Sequence, residues 1–135
     1  LALVPLANLV LGGTDDFDTD TLHDPASNNT RLTATIAGYY LVTGGVVWDI
    51  QTLGVVTFLL IRLSKNGTVI EGSRSYFPPI TTFSTNGQAQ VTSAIVQLAA
   101  TQYVEMEVFH DKTAAGTLTI GTTAPNSLQM VYLGE

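Results

Sequence analysis

Turn-forming residues punctuate this chain about every ten positions, the rhythm of an all-β sandwich. The clusters are Gly12-Gly13, Asp24-Pro25 with Asn28-Asn29, Gly44-Gly45, Asn66-Gly67, Pro78-Pro79, Asn86-Gly87, Ala115-Gly116 and Pro125-Asn126. Most of the runs between them are rich in Val, Ile, Thr, Leu and Tyr, which suit a pleated, half-buried surface. No amphipathic stretch of useful helical length is present. The nearest, "QVTSAIVQLAATQYVEMEVF", alternates instead, with Val104, Met106 and Val108 set against Glu105 and Glu107.

The expected strands are 3–11, 31–36, 38–50, 55–64, 68–76, 88–98, 102–110, 116–121 and 127–133. That number predicts two packed antiparallel sheets. Asn66-Gly67 accepts the positive φ angles of a type I′ turn, so its flanking strands should form a hairpin. No fixed-period repeat or low-complexity linker divides the chain, and residues 1–135 read as one domain.

Two of these strands are apolar on both faces. In 38–50, Tyr40, Val42, Val46, Trp48 and Ile50 oppose Tyr39, Leu41 and Val47. In 55–63, Val56, Phe58 and Leu60 oppose Val55, Leu59, Ile61 and Leu63. An antiparallel sheet commonly leaves one face wet, so the second face here needs cover, which in one small domain means a neighbouring subunit. Arg62 shares a face with Phe58 and Leu60, and its expected partner is an acidic loop residue or another subunit.

Composition narrows the partners. The chain is 45% hydrophobic and 12% charged, about half the charge of an ordinary soluble domain, which again points to apolar surface meeting another subunit. Its net charge is −6 and its five cations are scattered singly, so nucleic acid and an anionic membrane surface are excluded as expected partners. The longest apolar run, "LGVVTFLLIRL" at 53–63, is too short to span a bilayer and reads as a buried strand. "LALVPLANLVLGG" lacks a basic leading region and contains Pro5, which argues against a signal peptide. The absence of cysteine excludes disulfides, thiol catalysis and thiolate metal sites.

The richest candidate for chemistry is "DDFDTDTLHDPASNN" at 15–29. Asp16, Asp18 and Asp20 have calcium-loop spacing, but the sixth and twelfth positions hold Thr21 and Ser27 in place of Gly and Glu. The stretch therefore reads as an acidic, solvated loop in which Asp and Asn side chains cap their own turns, against a looser oxygen cage using Asp15, Asp16, Asp18 or Asp20. Both histidines precede an aspartate, in His23-Asp24 and His110-Asp111, yet no Gly-x-Ser-x-Gly elbow accompanies them. On a threefold axis, His23 or His110 would form a three-histidine site. Tyr76, Phe77 and Phe83, with Pro78-Pro79, form an aromatic loop suited to ligand recognition or to packing on its own barrel. The sequons at Asn28 and Asn66 matter only in a glycosylating host.

"RLTATIAGYYLVTGGVVWD" resembles the central strands of the C1q/TNF-like jelly rolls: Gly38 and Tyr40 match, and Val42 stands where an aromatic is usual. "FDTDTLHDPASNNTRL" is similar to the preceding loop, with Phe17 as its apolar anchor. "IRLSKNGTVI" is similar to the following hairpin, "VQLAATQYVEMEVF" to the penultimate strands and "LQMVYLG" to the closing strand. Thr101-Gln102 replaces the usual Gly-Asp before Tyr103. The resemblance spans about residues 14–134 and is nearest in character to the bacterial and bacteriophage branch.

It implies an all-β, two-sheet antiparallel jelly-roll sandwich that forms a homotrimer, with Tyr40, Val42, Trp48, Phe58 and Leu60 as trimer or core residues. The expected function is a non-enzymatic structural or decoration module on the exterior of a phage particle. The alternative is a receptor- or glycan-binding tip domain of a phage fibre or bacterial surface protein. Either places the chain on a virion surface or outside the cell. Beyond itself, the expected partners are a capsid or fibre protein, or a surface glycan or receptor. No catalytic residue, metal or cofactor is expected.

If the loop at 15–24 is only a solvated connection, melting temperature should be unchanged by EDTA or added calcium. A loss of several degrees on chelation would show metal contributing to the fold.

Overall fold

The computed structural model describes residues 4–6, 21–24, 26–49, 59–77, 88–110, 119–120 and 126–135. Its strands are β1 (Val4–Leu6), β2 (His23–Asp24), β3 (Asn28–Thr33), β4 (Gly38–Asp49), β5 (Leu59–Lys65) and β6 (Thr68–Val69). They continue with β7 (Ser75–Phe77), β8 (Gln88–Leu98), β9 (Tyr103–His110), β10 (Thr119–Ile120) and β11 (Ser127–Gly134).

The first sheet runs β2-β3-β9-β5-β6, with β1 also on β9 and β7 also on β5. The second places β4 between β8 on one edge and β11 and β10 on the other. All of these pairings are antiparallel. The successive long strands β3, β4, β5, β8, β9 and β11 alternate between the sheets. That crossing order makes the fold a two-sheet jelly-roll sandwich.

The core follows from strand alternation. Tyr40, Val42, Val46 and Trp48 of β4 meet Leu59, Ile61 and Leu63 of β5 and Val104, Met106 and Val108 of β9, all buried. Gly44 lies in the same inward row, where a Cβ would stand 2.5 Å from Met106 Sδ and 3.4 Å from Leu63 Cδ2. The missing side chain makes room for Met106 between the sheets. Gly44-Gly45, a turn signal by composition, thus lies within a continuous strand.

A buried polar seam closes one edge of the sandwich. Ser73 Oγ donates to Ile70 O at 2.7 Å and accepts from Leu63 N at 3.0 Å. The Thr92 hydroxyl donates to Ser73 O. Gln90 accepts from Trp48 Nε1 at 2.9 Å and donates to Ser75 O at 2.6 Å. Buried polar groups are costly unless paired; here the bonds of Ser73, Thr92 and Gln90 tie the 70–75 segment to β5 and β8, and Trp48 ties β4 to β8.

Two turns decide the local register. Asn66 (φ +48) and Gly67 (φ +76) both take the left-handed conformation a type I′ turn requires, as the sequence predicts. Asn66 also exchanges two hydrogen bonds with the Tyr103 backbone, each 3.0 Å, so the hairpin is anchored to β9. Thr101 (φ +73) holds the turn between β8 and β9, with its N–H donating to Ala34 O at 2.8 Å. The left-handed conformation there suits the glycine that C1q/TNF-like domains usually carry near this point.

Several boundaries differ from expectation. The strand expected over 68–76 is two short pieces, interrupted by a turn at Glu71 and Gly72 (φ +83). The 31–36 strand begins earlier, at Asn28, and β2 falls where a loop was expected. The strand expected over 88–98 matches β8 to the residue.

The turns give a paired test. Gly67→Val should destabilise the fold by about 1 kcal/mol or more, because a β-branched residue is strained at positive φ. Thr101→Gly should stabilise it by about 0.5–1 kcal/mol for the same reason. Denaturant melts check both, and shifts of the same sign would contradict the turn geometry.

Candidate functional site

Among the described residues, those most suggestive of chemistry are not brought together. His23 and His110 are both buried in the first sheet, against Leu32 and Leu59 respectively in strand register. Neither lies in the second sheet, whose outward surface is the open apolar one. The Asp24 carboxylate is taken up by its own turn, accepting from Ala26 N at 3.0 Å and Ser27 N at 3.2 Å. The Ser27 side chain and these two amides hold its pKa below the ordinary value. Among the described residues no group of three His, Asp or Glu could hold a metal. Asp15, Asp16, Asp18, Asp20 and Asp111 lie outside the described residues.

Around Arg62 the outward face of the first sheet is covered by its own chain. Arg62 Nε donates to Glu107 Oε2 at 2.7 Å, a second nitrogen lies 2.5 Å from the same oxygen, and the guanidinium stacks 4.4 Å from the Phe109 ring centroid. The partner is therefore the opposing residue on β9, neither a loop nor another subunit, because β5 and β9 pair in exactly opposed register at these positions. Leu60 is buried on this face and is absent from the core cluster, while Tyr40, Val42 and Trp48 belong to the core. Phe58 lies outside the described residues. Arg31 stacks 4.3 Å from the Tyr103 ring on the same side.

The aromatic loop separates by strand parity. Tyr76 is 59% exposed, whereas Phe77, one residue on, packs against the core. Phe83 lies outside the described residues.

What remains is the outward face of the second sheet. Leu41 is flanked in register by Ile95 of β8 and Val131 of β11. Thr43 is flanked by Ser93 and Gln129, and Gly45 by Val91 and Ser127. Ile95 (65%), Val91 (62%) and Val131 (56%) are among the most exposed large apolar side chains described, with Tyr39, Leu41 and Leu133 also open. None of the residues facing outward from Tyr39 to Val47, Ala89 to Gln97 or Ser127 to Leu133 is charged. With strands about 4.8 Å apart and a rise of about 3.3 Å per residue, the three strands present roughly 400 Å² in projection. Exposed apolar patches of that size are often functional.

In the sequence, Tyr39, Leu41 and Val47 mark β4 as two-faced, whereas the 91–97 alternation by itself marks only a strand. The odd positions of β8 and β11 carried the missing signal. Parity alone does not reveal which neighbours share a face until register is known.

No family model and no curated protein matches this chain. Among solved structures it is similar to the crystal structure of rabbit GITRL, a TNF-family jelly-roll protein, at 19% sequence identity. The likeness covers 78% of this chain and 72% of that one, with a TM-score of 0.47. The jelly-roll assignment rests on the strand order itself.

The division between core and open face predicts unequal mutational costs. Leu63→Ala should destabilise the chain by about 2–5 kcal/mol. Ile95→Ala should change the stability of the isolated chain by less than about 0.5 kcal/mol. Denaturant unfolding at a dilution where the chain is monomeric measures both, and comparable losses would contradict the assigned faces.

Proposed function

We propose that this chain is a non-enzymatic assembly module that forms a homotrimer through the outward face of its second sheet. The observation that carries the proposal is that face: open, apolar and without charge across β4, β8 and β11. A second copy supplies a matching surface. A charged partner would have to bury its charges against groups that cannot pair them. The number three comes from the resemblance of the sequence motifs to C1q/TNF-like domains, as does the setting: a structural or decoration module on the exterior of a phage particle.

A second reading has one specific observation in its favour. Tyr76 projects its ring from the first sheet, away from the assembly face, where a receptor- or glycan-binding tip domain of a fibre or bacterial surface protein would need an aromatic contact. The two readings share the assembly and differ in whether the opposite sheet works as a recognition surface.

Light scattering across a size-exclusion peak at micromolar concentration should give three times the chain mass. Assembly brings together copies that each carry −6, so dissociation on dilution should move to lower protein concentration as salt screens the repulsion. A monodisperse monomer would overturn the proposal.

A further inference from the structure

The assembly face has relief. Around Gly45 its central strand is low, because the glycine has no side chain and Thr43 and Val47, two residues to either side, are half-buried, whereas Tyr39 and Leu41 farther along stand open. Its β8 side is high, because Ile95 and Val91 stand well out from the surface. The atoms nearest a Cβ built at Gly45 are Ser127 Oγ at 3.5 Å, Gln90 O at 3.8 Å and Val91 Cγ2 at 3.9 Å, all ordinary contacts. Gly45 also has no positive φ. Neither its backbone nor its packing within the chain calls for glycine, although an interior strand position ordinarily disfavours it. Gly44, by contrast, is explained within the chain by Met106.

We infer that Gly45 is the socket of the self-assembly contact, and that Ile95 of a second copy fills it. This deepens the homotrimer reading and rests on it. Ile95 is the most exposed large apolar side chain of the described residues, and it lies on β8, whose only described partner strand is β4. The face thus holds a knob on its rim and a hollow along its centre. A contact between unlike patches is heterologous, the kind that closes into a ring and is not confined to pairs.

Glycine at the hollow makes the inference separable from general stickiness. If the face associates only because it is apolar, Gly45→Leu adds apolar surface and should hold the assembly as well or better. If Gly45 is a socket, the same substitution fills the hollow and should weaken assembly at least tenfold in the protein concentration at half-dissociation. Ile95→Ala should weaken it comparably from the other side.

The measurement is light scattering over a dilution series of the whole chain, with circular dichroism and a melt of each variant to confirm folding. Gly45→Ala, whose single methyl meets no close contact, serves if the leucine variant does not fold, and should give a smaller weakening in the same direction. Wild-type protein that is monomeric would overturn the underlying assembly reading. Wild-type protein that assembles, with Gly45→Leu and Gly45→Ala assembling equally well or more tightly, would overturn the socket alone.

Discussion

β4 pairs along both edges, with β8 on one side and β11 and β10 on the other, so its alternating side chains must occupy two faces with nothing between them but the backbone. The even residues Tyr40, Val42, Val46 and Trp48 enter the core, and the odd residues Tyr39, Leu41, Thr43, Gly45 and Val47 are turned outward as a result. The two glycines divide the same way. Gly44 accommodates Met106 inside, and Gly45 leaves a hollow outside. A register slip of one residue would exchange these sets, placing Thr43 and Gly45 in the core and exposing Trp48.

The two sheets resolve their outward faces differently. In the first sheet, Arg62, Glu107 and Phe109 cover one another, which satisfies a charge in a partly buried place and, among the described residues, leaves Tyr76 as the large apolar side chain open on that face. The second sheet has no such device among its described outward side chains. Its polar residues there are uncharged: Thr43, Ser93 and Gln129 form one row between apolar ones, with Ser127 beside Gly45 and Gln97 beside Tyr39. The asymmetry is the ground on which self-association is proposed for the second sheet, while the first leaves Tyr76 open to solvent.

Much of the fold was legible because its signals are local. Asn66-Gly67 has one comfortable turn type, and β8 and β9 alternate without interruption. What was not legible depends on partners distant in sequence. Arg62 finds Glu107 on a strand 45 residues away, so the second face of β5 at Leu60 and Arg62, expected to need a subunit, is covered within the chain. The seam of Trp48, Gln90 and Ser75 is likewise invisible until three separate segments meet. β2 has only two residues and carries no period to read, and the break at Gly72 lay inside an otherwise strand-like run. For the face itself, parity named the residues of β4, but joining them to Ile95 and Val131 required the register across three strands.

The claim at the centre of this account is geometric: copies of the chain meet through the second sheet. Because the chain has no cysteine, a single one introduced at Gln97, on the margin of that face, or at Glu71, in the exposed turn of the first sheet, can carry a spin label cleanly. Distances between labels in the assembled protein should be shorter for Gln97→Cys than for Glu71→Cys. The reverse order, or no dipolar coupling at either position, would contradict it.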